Sequence, residues 1–187
     1  MSKICFLSDD FITKTGTWPQ GFDRVQLVYS KGSLSSFLTQ AVSNISVLKG
    51  QVYAEIWCHG AGVFTKNARG EWYAHGGYGL ELTADHVTLA NVRQFHVLAG
   101  KLWAIAVRGC AAARIDIGHA GTYGDGNMLC SRLAQVTQAY VQASTALQQY
   151  NASGFLPWQG TVLLYGPRGN VVKVEHVPMV SVERPEE

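Results

Sequence analysis

The chain has 187 residues, 15 of them basic and 13 acidic, with a formal charge of +2 and an apolar fraction of 47%. That length suits a single domain with a sizeable core. The near-balanced, scattered charge argues against a nucleic-acid partner, which calls for a basic stripe or helix face, and no run approaches the roughly eighteen apolar residues of a membrane span.

The opening MSKICFLSDDF breaks its apolar stretch at Asp9 and Asp10. A cleaved export signal needs an uninterrupted apolar core, so the expected location is the cytoplasm, or export by a route without such a leader. Cys5, Cys58, Cys110 and Cys130 are widely and irregularly spaced. This fits neither a disulfide framework nor paired zinc ligands. His75, His86, His96 and His119 show no metal-ligand spacing, and no GxxxxGK phosphate loop occurs. No metal and no cofactor are expected.

Along the chain, residues 3–8 read as a short buried strand closed by Asp9 and Asp10, followed by a loop with Gly16, Pro19 and Gly21. Residues 24–29 read as a second strand. Ser33 is a good helix cap, and Leu34, Phe37, Leu38, Ala41, Val42 and Ile45 recur at the spacing of a one-sided apolar face. Residues 51–57 (QVYAEIW) form a strong strand candidate that ends in Cys58-His59-Gly60. Residues 63–82 suggest a hairpin or long loop, with a turn at Asn67 and Gly70 and strand character resuming at Trp72 and Tyr73.

Thr83 is expected to cap a helix running to about Leu98, stopped by Gly100. Residues 102–107 (LWAIAV) are nearly all apolar, as in a central parallel strand covered on both faces. They end in Arg108-Gly109-Cys110. A second good helix is expected from Gly126, with Asp125 as its cap and Leu129, Leu133, Val136 and Tyr140 as its stripe. Residues 161–165 and 171–174 flank Pro167-Arg168-Gly169-Asn170, a hairpin signal at the sheet edge. Residues 182–187 are expected to fray. The alternation of strands and helices predicts an α/β fold: a three-layer sandwich with a mainly parallel central sheet, as one domain over residues 1–187.

Ligand sites in such sheets lie beyond the carboxyl ends of the strands, where two segments here deliver CHG and RGC. A cysteine needs a thiolate to act as a nucleophile, and a histidine within hydrogen-bond reach supplies the base. Cys110 and His59, 51 residues upstream, are the candidates. The plain structural alternatives are a buried inert thiol and a loop histidine that closes a strand.

The segments VYAEIWCHGAG (52–62) and LWAIAVRGCAAA (102–113) resemble the caspase-like cysteine peptidase superfamily, which includes caspases, gingipains, legumain, separase and clostripain. There a His-Gly follows one strand and a Cys the next, about 50 residues apart in caspases. GDGNMLCSRLAQVTQAYVQAS (124–144) is similar to a segment of bacterial caspase-like domains, in which a glycine-led helix precedes a short strand. The likeness spans roughly residues 25–165, with VRGCA in place of the QACRG of caspases.

The resemblance implies a peptidase in which His59 is the proton-transfer group and Cys110 the nucleophile, acting on a protein or peptide through an acyl-enzyme. It makes the amides of Gly60 and Cys110 the oxyanion donors. For substrate binding, it draws attention to Arg24, Arg108 and Arg114 for an acidic residue, or to Asp116 and Asp125 for a basic one. A non-catalytic adaptor of the same fold and a different thiol hydrolase or acyltransferase are the alternative readings.

Overall fold

The computed structural model describes residues 1–61, 64–66, 72–151 and 154–178. The apolar segment Ser2–Ser8 is strand β1, and Asp9–Thr15 turns at once into the short helix α1. β2 (Arg24–Val28) and helix α2 (Leu34–Ser46) follow, then β3 (Val52–Trp57). Four short strands come next: β4 (His59–Ala61), β5 (Phe64–Lys66), β6 (Trp72–Ala74) and β7 (Gly79–Glu81). A 3-10 helix, Val92–Leu98, leads to β8 (Ala104–Val107). Helix α3 (Gly126–Thr137) and β9 (Tyr140–Ser144) follow it. The small pair β10 (Tyr150–Asn151) and β11 (Gly154–Phe155) precedes β12 (Gly160–Tyr165) and β13 (Val171–Val177).

Seven strands form one sheet in the order β13-β12-β9-β8-β3-β1-β2. The five from β9 to β2 are parallel, and β12 runs antiparallel to both of its neighbours. Strand alternation sorts the side chains. Ile4, Phe6, Ala54, Ile56, Ile105 and Val107 face a core closed by α2, the 3-10 helix and α3. Cys5, Leu7 and Trp57 face the other way and pack with Phe11 of α1. The result is a mixed, mostly parallel sheet flanked by helices, a general α/β sandwich. The expected neighbours β3 and β8 are adjacent and parallel, and the expected terminal hairpin is β12–β13 at the sheet edge.

The caps follow the sequence. Ser33 Oγ accepts from the Ser36 amide at 3.2 Å to start α2, and Asp125 accepts from the Met128 amide at 2.8 Å to start α3. Three expectations are corrected. Asp9–Thr15 is helical rather than the start of a loop. The helix expected from Thr83 is only the 3-10 turn Val92–Leu98. Leu80 and Val87 exchange two backbone hydrogen bonds of 2.9 Å, which commits that stretch to a bridge. Tyr140 opens strand β9 rather than closing the α3 stripe, because Gln138 takes a left-handed φ of 55° and ends the helix. The turn expected at Asn67 and Gly70, the segment start at Val63 and the tail 182–187 lie outside the described residues.

Candidate active site

The register Tyr53↔Ala104 through Ile56↔Val107 brings β3 and β8 to an end at the same sheet edge. The Arg108 amide extends the pairing with a 2.8 Å bond to the Ile56 carbonyl. Cys58-His59-Gly60 and Arg108-Gly109-Cys110 therefore leave the sheet together, and their backbones touch. A Cβ on Gly60 would lie 1.9 Å from the Cys110 carbonyl oxygen and 3.1 Å from its nitrogen. Only glycine fits at position 60. A Cβ on Gly109 would lie 3.6 Å from Gly60 Cα and 3.2 Å from the Leu80 side chain. Leu80 belongs to β7, which pairs with β4 and backs the contact.

Cys110 is half-buried, whereas Cys5, Cys58 and Cys130 are buried. Its Sγ accepts from the Gln148 amide at 3.4 Å and donates to the Gln148 carbonyl at 3.8 Å. Burial pushes the Cys110 thiol up, and the Gln148 amide opposes this in part. The Cys110 amide has no acceptor among the described residues. The turn after it is tied to the end of β9 by Ala111 N–H to the Ala146 carbonyl (2.9 Å) and Ala113 N–H to the Ser144 carbonyl (3.0 Å).

The His59 ring packs on Phe11 with centroids 5.3 Å apart. Its Nε2 is buried and has no hydrogen-bond partner among the described residues. Burial, and then the charge of Lys14, hold the imidazole below its ordinary value, with Glu81 and Asp10 pulling weakly the other way. These effects favour the neutral ring. No hydrogen bond joins His59 to Cys110 among the described residues. Both shifts favour a neutral imidazole and a thiol over an ion pair. Cys58, next to His59 in sequence, turns into the main core, where burial raises its thiol far above the ordinary range.

Arg108 lies on the second face of the sheet, beneath this edge. Its guanidinium stacks on Trp158 at 4.0 Å, with Nε 3.5 Å from Glu55 Oε2. Glu55 in turn accepts from Tyr53 Oη at 3.0 Å and Trp57 Nε1 at 2.7 Å. Arg24 begins β2 at the opposite edge and bonds to Asn44 of α2. Asp125 spends both oxygens on the loop and helix start, accepting from the Gly121 and Met128 amides. Asp116 is buried and accepts from Tyr78 Oη while its other oxygen lies 2.8 Å from His75 Nδ1. The Tyr78 hydroxyl first, and then His75, hold the Asp116 carboxyl down to about 2. The Arg114 carbonyl accepts from the Gly126 amide at 2.7 Å.

The structure thus gathers His59, Gly60, Arg108 and Cys110 at one edge and leaves Arg24 at the other. Sequence reasoning missed Phe11, Gln148 and Trp158, which come from distant segments and carry no motif. It also missed the His75–Asp116–Tyr78 cluster. Among the described residues, no group of three or more His, Cys, Asp or Glu could hold a metal ion. No family model matches the chain, and comparison with curated proteins and with solved structures gives no match.

Proposed function

We propose that the chain is a cysteine endopeptidase of the caspase-like kind, its sandwich being a caspase-like fold and His59 and Cys110 its catalytic pair. The observation that carries this reading is the backbone contact of Gly60 with Cys110 at the ends of adjacent parallel strands. A histidine and the one cysteine that is not buried flank that contact.

The chemistry follows from the protonation states. Substrate entry turns the Cys110 side chain away from Gln148. Neutral His59 takes the Sγ proton as sulfur attacks the peptide carbonyl carbon. The oxyanion that forms is met by the Cys110 amide, which has no other acceptor among the described residues, and by that of Gly60. Collapse breaks the C–N bond, and the leaving amine takes the proton from His59. A water molecule then gives a proton to His59 and attacks the thioester. The carboxylic acid leaves and the thiol is restored.

A second reading, a non-catalytic adaptor of the same fold, is favoured by one observation. Gln148 satisfies the Cys110 thiol, and the thiol is raised rather than activated. Cleavage of a peptide library by wild type, Cys110→Ala, His59→Ala and Cys58→Ala separates the two. The peptidase reading expects no cleavage by folded Cys110→Ala, a loss of about 10²–10⁴-fold in His59→Ala and near-normal rates in Cys58→Ala. Wild type that cleaves nothing, or folded Cys110→Ala that cleaves normally, contradicts it.

A further inference from the structure

The sheet ends on β13, which pairs with β12 along one side and with no strand along the other among the described residues. Backbone groups of successive residues in a strand point to alternate sides, so half of those in β13 face outward. The side chains do not shield them. Six of its seven residues are exposed, among them Val171, Val172 and Val174 at 42%, 49% and 51%. An edge of this length, rich in β-branched residues and without proline, is a template for another strand. Proteins often block such an edge with a lysine. Here Lys173 is answered two residues on by Glu175, its Nζ 3.2 Å from Glu175 Oε2. The two opposite charges do not repel every incoming strand; they select one. At the other edge of the sheet, β2 has five residues with Arg24 as its single charge and makes no such selection.

The strand that fits is β13 itself. VVKVEHV laid antiparallel against a second copy about Val174 pairs all seven residues, from Val171 with the partner's Val177 onward. In that register Lys173 faces the partner's Glu175, and Glu175 faces the partner's Lys173. One face of the joined strands therefore carries charges of alternating sign. On the other face Val174 meets its counterpart directly, and Val172 of each copy lies diagonal to the partner's Val174. Sliding the strands by two residues sets Lys173 against the partner's Lys173, or Glu175 against the partner's Glu175. Like charges directly opposite are destabilising, so the charges hold the register. We propose that the chain forms a two-fold dimer by pairing β13 with β13 of a second copy about Val174. The contact is the same patch on both copies, so it closes at two. It does not depend on the peptidase reading.

The test follows the full chain by sedimentation velocity over a concentration series. The substituted positions are all exposed, and thermal melts establish that each variant keeps its fold. Wild type passes from monomer to dimer as concentration rises, and no further. Lys173→Glu sets like charges opposite each other at two symmetry-related points and weakens the dimer by about tenfold or more. Lys173→Glu combined with Glu175→Lys exchanges the signs, restores opposite charges in the same register and returns the affinity to near that of wild type. Val174→Lys brings two positive charges together on the axis and leaves a monomer. Amide hydrogen exchange in β13 is slower in the wild-type dimer than in Val174→Lys. Wild type that stays monomeric at every concentration, or a dimer undiminished in Val174→Lys, overturns the proposal. So does a double variant that associates no more tightly than Lys173→Glu, association beyond two copies, or protection on dimerisation that spares β13.

Discussion

Gly60 is the residue on which the site turns. With 1.9 Å between a Cβ at that position and the Cys110 carbonyl oxygen, Gly60→Ala forces the two loops apart. A cost of about 1–3 kcal/mol is expected, as for other overpacked contacts, read as a lower thermal midpoint. Under the peptidase reading, cleavage falls with it because the strand ends separate. A midpoint unchanged from wild type would mean that the loops separate without strain. The cysteines give a second prediction at this scale. Three are buried and Cys110 is half-buried, so iodoacetamide labels Cys110 first. Burial raises that thiol, so labelling is slow at neutral pH and accelerates as pH climbs toward and past the ordinary value of 9.0. Peptide mapping that finds Cys58 or Cys130 modified ahead of Cys110 contradicts this. Under the peptidase reading, His59 sets the acid side of the activity profile. Its pKa lies below the ordinary 6.5, so the base form persists below that pH. Cleavage is expected to fall only further into acid, and a rate already halved above pH 6.5 would speak against His59 as the base.

The elements around the pair carry predictions of their own. The loop between β8 and α3 is pinned by Asp116, whose carboxylate joins His75 and Tyr78 from the segment between β6 and β7. The folded pKa, about 2, lies below the ordinary 3.8. The unfolded chain therefore binds the proton more readily, and the stabilisation is present above pH 3.8 and lost as pH falls toward 2. Asp116→Asn lowers the midpoint at neutral pH and flattens the loss across that window. Melts as a function of pH read both effects, and unchanged curves would contradict them. The same scale shows what was readable. α2 was legible because six apolar residues keep one face and Ser33 caps it. β8 was legible because nearly every residue is apolar, as a strand covered on both sides requires. α1 was not, since a helix of seven residues with Phe11 as its one buried side chain has no period to read. Tyr140 kept helical spacing with Leu133 and Val136, but spacing carries no mark of the left-handed turn at Gln138.

At the scale of the whole molecule, one parallel register explains the arrangement. Pairing β3 with β8 in step from Tyr53 to Ile56 puts two strand ends at one edge. The strand-then-glycine signals at His59-Gly60 and Gly109-Cys110 were visible in the sequence. Their surroundings were not. Gln148, Phe11, Phe155 and Trp158 reach the edge through tertiary packing of segments remote in the chain, and no local pattern encodes that approach. The second face of the sheet shows the same limit. Glu55 and Arg108 meet because β3 and β8 are neighbours, a fact of pairing and not of composition.

Under the peptidase reading Cys110 forms a covalent bond to substrate, and trapping the acyl-enzyme reads that bond itself. Protein mixed with excess cleavable peptide is quenched in acid within the first turnover and weighed intact. The expected species is heavier by the acyl half of the peptide, mapped by digestion to Cys110, absent from Cys110→Ala and slower to appear in His59→Ala. Turnover of the same peptide with no adduct on Cys110, and with undiminished rate in folded Cys110→Ala, would contradict it.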